Sequence, residues 1–347
     1  MNQEDLQTAL LNCLADRDPR YTGAAVAASM PVPGGYSRLT YRFDLRLKAG
    51  ARSVILQYLP AAATGLVRVD RRIENDLLRY LAAQNTINAP TLITSDLTGR
   101  YFDSVALIFE AESGRPFTDV CRGSDASEYG RLNRIIARES AKVQAVDIAT
   151  LPDSMAHPGT WEAYMDSQIA LFRQADRESR AARPFLRYLA QWLDEHRPPQ
   201  APLSLVHGDL QVSNMIALAD REDEAVLVDW ELAHIGDPRE DLGWLTMVCG
   251  AIAPNILAAD VDGFYAEYRA RTGLAETVVN PATVAYFLIV SSIRTHYGML
   301  KSSDALVESP EREQAALAAY YMNITTYQHM NWMNAIAVVE AHKRSRA

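Results

Sequence analysis

The segment from Leu205 to Ile216, LVHGDLQVSNMI, is the feature that most constrains the fold of this chain. It places His207, Asp209 and Asn214 close together between apolar stretches. Buried polar groups are costly unless they are hydrogen-bonded. The pattern H-x-D-x-x-x-x-N therefore requires either a structural network or a reacting group, and the surrounding fold must hold this loop in one shape.

The composition is typical of a globular protein, and the chain is long enough to form two lobes. The chain has 347 residues, of which 48% are apolar and 22% charged, and this length allows a sizeable core. The net charge of −9 argues against a protein that binds the phosphate backbone of nucleic acids. A local arginine cluster can still bind a small anion, so we expect a small-molecule partner and no nucleic acid.

Cysteines and apolar segments indicate the cellular setting. The three cysteines, Cys13, Cys121 and Cys249, are far apart and odd in number, which argues against a disulfide framework. No C-x-x-C or H-E-x-x-H motif supports a zinc site. The N-terminal segment lacks the features of a signal peptide, and the apolar stretch Val284 to Ile293 has about half of the roughly 20 residues that span a membrane. We therefore expect a cytoplasmic protein without a membrane partner.

The first third of the chain has the patterns of a mixed α and β region. Residues 41–47 alternate between apolar and charged side chains, which is the period of a half-buried strand. A turn at Ala49-Gly50 joins them to a second strand at 53–59. The other predicted elements are helices at 1–18 and 68–83 and strands at 91–95 and 105–110.

The chain becomes mainly helical beyond Gly114. The predicted helices cover residues 125–147, 161–175, 184–196, 258–272, 281–300 and 311–341, and the exception is a small β element within 203–230. We therefore predict an N-terminal lobe of residues 1–110, a connection or hinge of residues 111–116, and a helical C-terminal lobe of residues 117–347.

Three motifs follow one another in the order that phosphoryl transfer from a nucleotide requires. A glycine turn at Gly34-Gly35 allows backbone N–H groups to approach phosphates. The loop with Asp209 and Asn214 follows, and Asp229 then ends the apolar strand of VLVDWE. A carboxylate can orient an attacking hydroxyl group, while Asn and Asp oxygens suit Mg²⁺.

The segments HGDLQVSN and VLVDWELAHIGDPREDLGW resemble the aminoglycoside phosphotransferase and choline kinase family of small-molecule kinases. They are most similar to a branch related to the kinase-like domains attached to acyl-CoA dehydrogenases. The resemblance covers roughly residues 20–300 and is most specific at 205–245. It implies an α+β, protein-kinase-like fold of two lobes, with a small mixed β-sheet in the N-lobe and a mainly helical C-lobe.

The resemblance also assigns roles to the residues at matching positions. Asp209 corresponds to the catalytic base, and Asn214 and Asp229 correspond to the magnesium ligands. His207 and Asp241 correspond to residues that brace the catalytic loop.

The resemblance assigns nucleotide binding to residues of the N-terminal lobe. Gly34, Gly35 and Ser37 match the turn that covers the phosphates. Glu74 matches the helix glutamate that pairs with a strand lysine. The stretch from Ile108 to Ala111, with Ile108 and Glu110 as its nucleotide-binding residues, matches the hinge whose backbone meets adenine.

Gln57 departs from the family pattern, which has Lys or Arg at the end of the strand VILQ. A neutral amide can donate hydrogen bonds to phosphate but cannot neutralise its charge. Either this site has decayed, or a nearby arginine supplies the charge. The candidates are Arg38, Arg68, Arg71 and Arg72.

Other residues in these segments have ordinary explanations. Trp230 and Trp244 are expected to pack in the core, and Asp237 before Pro238 is typical of a turn. Glu231 is either a third acid beside the metal or a structural residue. The Met and Tyr residues of 320–333 form a helix face that could also line a substrate pocket.

The sequence thus predicts phosphorylation of a small-molecule hydroxyl group that depends on ATP and Mg²⁺. One alternative is a pseudokinase that binds nucleotide with little or no transfer because Gln57 replaces the cation. Another is a metal-dependent hydrolase that uses His207 and Asp209, which would need further histidine ligands. The identity of the acceptor and the oligomeric state, including a homodimer, are left open.

Overall fold

A computed structural model describes residues 2–32, 38–59, 69–221, 223–251, 254–307 and 312–345 of the chain. The chain divides into two compact units, Met1–Gly114 and Arg115–Ala347. This division falls within the predicted connection at 111–116. Gly34, Gly35 and Ser37, to which the sequence assigns the phosphate-covering turn, lie outside the described residues, as does Arg68.

The first unit contains a five-stranded sheet with the strand order β1-β2-β3-β5-β4. Its strands are β1 (Ala25–Pro31), β2 (Leu39–Leu47), β3 (Gly50–Tyr58), β4 (Leu92–Asp96) and β5 (Ala106–Glu110). Every neighbouring pair is antiparallel, so the sheet is antiparallel throughout, whereas the sequence predicts a mixed sheet. The tight turn after β2 produces the predicted hairpin.

One face of this sheet is covered by the helix α1 (Gln3–Arg17), whose leucines complete a buried core. Side chains alternate along β3, so Val54 and Leu56 enter this core while Gln57 lies on the other face. The helix α2 (Arg71–Gln84) begins with an Asp70 cap and buries one leucine face. These elements bring the first turn of α2 next to Gln57 on β3.

The second unit is mainly helical. Its helices are α3 (Phe117–Gly123), α4 (Tyr129–Gln144), α5 (Trp161–Glu178), α6 (Pro184–Glu195), α7 (Arg239–Ala251), α8 (Ile256–Ala259), α9 (Val261–Thr272), α10 (Pro281–Leu306) and α11 (Arg312–Arg344). Its short strands are β6 (Gly114–Pro116), β7 (Ser204–Val206), β8 (Met215–Leu218), β9 (Ala225–Leu227) and β10 (His234–Gly236). Together with the first unit, this arrangement confirms the predicted α+β class.

The core of the second unit joins α5, α6, α10 and α11 around aromatic side chains such as Phe172 and Trp332. The stretch Val284 to Ile293 is buried within α10, as predicted. None of the described helices is long and apolar enough to cross a membrane. The helix α7 packs closely on α10, because a Cβ atom on Gly243 would lie 2.4 Å from the backbone nitrogen of Leu288.

The helical periodicity did not predict α7. Residues on all sides of this helix are buried, including Asp241, Leu242 and Leu245, so it has no contrast between a polar and an apolar face. The edge strand β1 was missed for the opposite reason, because most of its residues are exposed and do not alternate. The helix α7 matters for function because it carries Asp241 and Trp244 to the predicted catalytic loop.

Candidate functional site

The predicted catalytic loop runs from the end of β7 to the start of β8, and α7 holds its backbone. The N–H groups of His207 and Gly208 donate to the two carboxylate oxygens of Asp241, at 2.8 and 2.9 Å. Burial raises the pKa of Asp241 to about 7, and these two hydrogen bonds oppose that rise. Asp241 therefore binds the loop as an acceptor for two consecutive backbone donors.

Gly208 gives the loop a conformation that other residues rarely adopt. Its φ is +81°, and a Cβ atom there would lie 2.4 Å from the carbonyl oxygen of Leu232. Both the left-handed backbone and the close approach require glycine. This position explains why a glycine stands between the histidine and the aspartate of the motif.

His207 is fully buried and joins the loop to the strand that precedes Asp229. Its Nε2 lies 3.1 Å from the carbonyl oxygen of Val228, and its Nδ1 accepts from the backbone N–H of Asp209 at 3.3 Å. Burial lowers the pKa of His207 to about 3, so the ring is neutral near pH 7. Its ring also packs on Trp230, with centroids 4.5 Å apart.

Asp209 accepts hydrogen bonds on both carboxylate oxygens. Its Oδ1 accepts from Gln211 Nε2 and from Trp244 Nε1, each at 2.7 Å. Its Oδ2 accepts from Asn214 Nδ2 at 2.7 Å. The residue keeps some exposed surface, yet burial raises the pKa of its carboxyl group to about 7, while these donors lower it and the charge of Glu231 raises it.

Asn214 and Asp229 are linked through backbone contacts. The N–H of Val228 donates to the carbonyl oxygen of Asn214 at 2.9 Å, so the residue before Asp229 is tied directly to the loop. Asp229 itself has φ 73° and ψ 61°, a left-handed conformation that is uncommon for residues other than glycine. Such conformations persist where the surrounding structure imposes them, and they cluster at functional sites.

The donor atoms of Asn214 and Asp229 fit a magnesium ion. Asn214 uses its Nδ2 to donate to Asp209, at the backbone oxygen (3.0 Å) as well as at Oδ2, which leaves its Oδ1 as an acceptor. Amide and carboxylate oxygens are suitable ligands for this hard cation, which commonly takes one or two protein ligands plus phosphates and water. Within the described ranges, His, Cys, Asp and Glu residues form no cluster of three or more that could hold a metal.

The first unit contains a polar cluster at Gln57. Its Oε1 accepts from Arg71 Nη2 at 3.4 Å. Arg71 Nε lies 3.1 Å from Glu74 Oε2, and Arg38 Nη1 lies 3.8 Å from the same oxygen. Glu74 is almost fully buried, so it is not an ordinary solvated helix residue, and its ionic partners are arginines.

The two residues predicted at the hinge lie on β5. Ile108 pairs with Leu56 on one side and Thr94 on the other, and its side chain is buried in the core. Glu110 pairs with Val54 at the end of the strand, and its side chain lies 3.4 Å from Arg52. The structure therefore places Ile108 in the middle of β5 and Glu110 at the C-terminal end of this inner strand.

The loop around Asp209 and the cluster at Gln57 both lie in a part of the chain that matches a known protein family. A model of the phosphotransferase enzyme family matches residues 30–275. The chain belongs to this family. The match includes the catalytic loop, Asp229, Asp241 and the cluster at Gln57, and it confirms the resemblance inferred from the sequence.

Members of the acyl-CoA dehydrogenase family are similar to this phosphotransferase-family chain. Family member 11 of Gallus gallus is 29% identical over 253 residues, which are 71% of this chain and 31% of that protein. Family member 10 of Mus musculus is 30% identical over 118 residues, which are 33% of this chain and 10% of that protein. The chain thus spans 31% or less of the length of these two relatives.

Solved structures of phosphotransferases share the fold. An ethanolamine kinase of Plasmodium vivax aligns with a TM-score of 0.60 at 12% identity, covering 92% of this chain and 88% of that chain. A macrolide 2′-phosphotransferase of Brachybacterium faecium aligns with a TM-score of 0.58 at 18% identity, covering 91% and 98%. At such low identity the likeness shows the fold alone.

Two contacts of Asp209 in this phosphotransferase-family chain were not predicted. Trp244 was expected only to pack, but its indole N–H donates to the carboxylate, and Gln211 was not considered. Gln211 could have been suggested by its place two residues after Asp209. Trp244 lies 35 residues away, and only the geometry of α7 brings it to the loop.

The arrangement predicts that Asp241→Asn loosens the catalytic loop. The new NH₂ group would face one of the two backbone N–H donors and leave it without an acceptor, at a cost of about 1–3 kcal/mol. Denaturant unfolding should show this loss, and hydrogen exchange should accelerate at the amides of His207 and Gly208. Asp220→Asn, at an exposed carboxylate, serves as the control, and unchanged exchange at both amides would contradict the role of Asp241.

Proposed function

We propose that this chain transfers a phosphoryl group from ATP to a hydroxyl group of a small molecule, with the help of Mg²⁺. The observation that carries the proposal is the hydrogen bond between Asn214 and Asp209. It joins the predicted base to a predicted metal ligand, and Val228 joins both to Asp229. Membership of the phosphotransferase family supports the reaction type.

Asp209 is suited to orient an acceptor hydroxyl group and to take its proton. An ionised carboxylate has about four acceptor positions, and Gln211, Trp244 and Asn214 occupy three of them. The remaining position, on Oδ2, can accept a hydrogen bond from the substrate. The three donors hold the carboxylate in one orientation, which limits the directions from which the hydroxyl group can approach.

Asn214 Oδ1 and the carboxylate of Asp229 are the groups that would hold magnesium. The ion, when bound, neutralises charge on the phosphates of the nucleotide. The left-handed backbone of Asp229 and the hydrogen bond from Val228 to Asn214 hold these two residues in fixed positions relative to each other. Asn214 would therefore donate a hydrogen bond to the base through Nδ2 and bind the metal through Oδ1.

We propose a chemical class for the nucleotide and another for the acceptor. Structures of an aminoglycoside 2′-phosphotransferase contain GDP, so both adenine and guanine nucleotides belong in the test, with ATP as our proposed donor. The acceptor is a small hydroxyl compound in a cytoplasmic setting. Aminoglycosides, choline-like alcohols, sugars and hydroxyacyl-CoA thioesters form the screen, with ADP release as the readout.

The alternative is a pseudokinase that binds nucleotide with little or no transfer. Gln57 favours it, because the strand position lacks a cation. Turnover distinguishes the two functions: ADP release that requires both an acceptor and Mg²⁺ supports the kinase. Tight nucleotide binding without release across the acceptor screen supports the pseudokinase.

Replacement of the base tests the chemical step. Asp209→Asn should lower kcat by roughly 10²–10⁴-fold, since a positioned acid–base group contributes about that much. Asn retains an acceptor for Gln211 and Trp244, but its NH₂ group would face the Nδ2 donor of Asn214, so a loss of stability of about 1–3 kcal/mol should accompany the loss of turnover. Steady-state kinetics with the acceptor found in the screen provides the measurement, and Asp220→Asn is the matched surface control. Turnover equal to that of the wild type would remove Asp209 from the mechanism.

Replacement of Asp229 tests the metal assignment. Asp229→Ala removes a charged oxygen ligand, so it should abolish the gain in nucleotide affinity that Mg²⁺ confers. Calorimetric titration of ADP with and without Mg²⁺ measures this gain in wild type and variant. An equal gain in both proteins would refute the assignment.

A further inference from the structure

We propose that the exposed face of α11 is a dimer interface. It packs against α11 of a second copy of the chain, in antiparallel orientation, about a two-fold axis that passes beside Gln328. This interface is independent of the phosphotransfer chemistry, because the catalytic loop takes no part in it.

The helix α11 has one buried face and one exposed face. Gln328, Trp332 and Ala335 are buried where the helix meets the rest of the second unit. On the opposite side, exposed residues recur every three or four positions and so form one continuous row. This row, which we call the α11 stripe, consists of Ala319, Met322, Thr326, Met330, Met333 and Ala337.

The α11 stripe is apolar and uncharged, which is unusual for the outer face of a surface helix. Met322, Met330 and Met333 are 56%, 61% and 62% exposed. The sequence has no Asp, Glu, Lys or Arg at residues 314–339. By contrast, the outer face of α5, a helix of the same core, carries charges such as Glu162 and Asp166. A long exposed apolar face of this kind marks an interaction surface.

Charge favours a second copy of the chain as the occupant. Two copies with a net charge of −9 repel each other, and an uncharged face lets them approach. Segment 308–313, ESPERE, has three glutamates and one arginine in the sequence, whereas the last turn of α11 carries Lys343 and Arg344. Antiparallel packing brings the acidic beginning of one helix to the basic end of the other, and parallel packing brings like charges together.

The α11 stripe also has the symmetry that such a dimer requires. Ala319 and Ala337 lie nine residues before and after Gln328, and Met322 and Met333 lie six before and five after it. A two-fold axis beside Gln328 therefore places Ala319 against the partner's Ala337 and Met322 near the partner's Met333. The small alanines let the helices approach closely, while the flexible methionines fill the space between them.

The size of the α11 stripe sets the expected strength of the dimer. Residues 314–339 span roughly 38 Å of helix about 10 Å wide, which gives a footprint of roughly 400 Å² per copy. A stable interface usually buries about 800 Å² per partner. We therefore expect a reversible dimer with a dissociation constant in the micromolar range.

Sedimentation equilibrium over a range of protein concentrations tests the surface. The wild type should dimerise reversibly, and Met330→Glu should weaken the dimer at least about tenfold, because it places a charge in an apolar contact. Leu317→Glu is the matched control. Leu317 is also exposed on α11 but lies two residues before Ala319, about 200° around the helix. Circular dichroism checks that both variants remain folded.

Cross-linking tests the antiparallel orientation. When Ala319→Cys and Ala337→Cys proteins are mixed with oxidised glutathione, a disulfide should join one to the other. Ala319→Cys alone should form few covalent dimers, because its two copies would lie roughly 27 Å apart along the helices. The native cysteines are buried, and the wild type gives the background.

Three results would overturn the proposal. One is a wild-type protein that stays monomeric at every concentration. Another is a dimer that Met330→Glu leaves unchanged, or one in which Ala319→Cys cross-links to itself. The third is a monomer that binds vesicles of phosphatidylcholine and phosphatidylglycerol and loses this binding in Met330→Glu, since the α11 stripe would then bind a lipid surface.

Discussion

The carboxylate of Asp241 is the contact on which the candidate site depends. It accepts the backbone N–H groups of His207 and Gly208, and these residues lead directly into Asp209. The positive φ of Gly208 and the buried, neutral ring of His207 then fix the direction in which the loop leaves β7. Because the hydrogen bonds are made to the backbone, they set the loop's shape and leave the Asp209 side chain available for chemistry.

The loop motif could be interpreted from sequence because its residues are close together and their spacing is specific. The antiparallel hairpin and most helices could be predicted from periodicity. Apolar residues recur at every second position in the hairpin strands and every three or four positions in those helices. The helix α7 could not be found in this way, because it is buried on all sides. Trp244 was missed with it, since a contact across 35 residues depends on the packing of α7 and leaves no local pattern.

The cluster at Gln57 shows the limit of residue-by-residue transfer from a family. The sequence showed that the strand cation was absent, and it left four arginines as candidates. The structure brings Arg71 and Arg38 to Glu74 and leaves Arg72 exposed. The phosphotransferase family model matches the chain across this position, so membership of the family is compatible with an uncharged strand residue.

The central claim is that the loop of Asp209 and Asn214, together with Asp229, forms a magnesium–nucleotide site. A crystal structure of the chain with Mg²⁺ and a non-hydrolysable ATP analogue tests it most directly. The account predicts Mg²⁺ at about 2.0–2.1 Å from Asn214 Oδ1 and from a carboxylate oxygen of Asp229, with Asp209 Oδ2 left for the acceptor. A bound nucleotide whose metal is held by other residues, or a nucleotide located away from this loop, would contradict it.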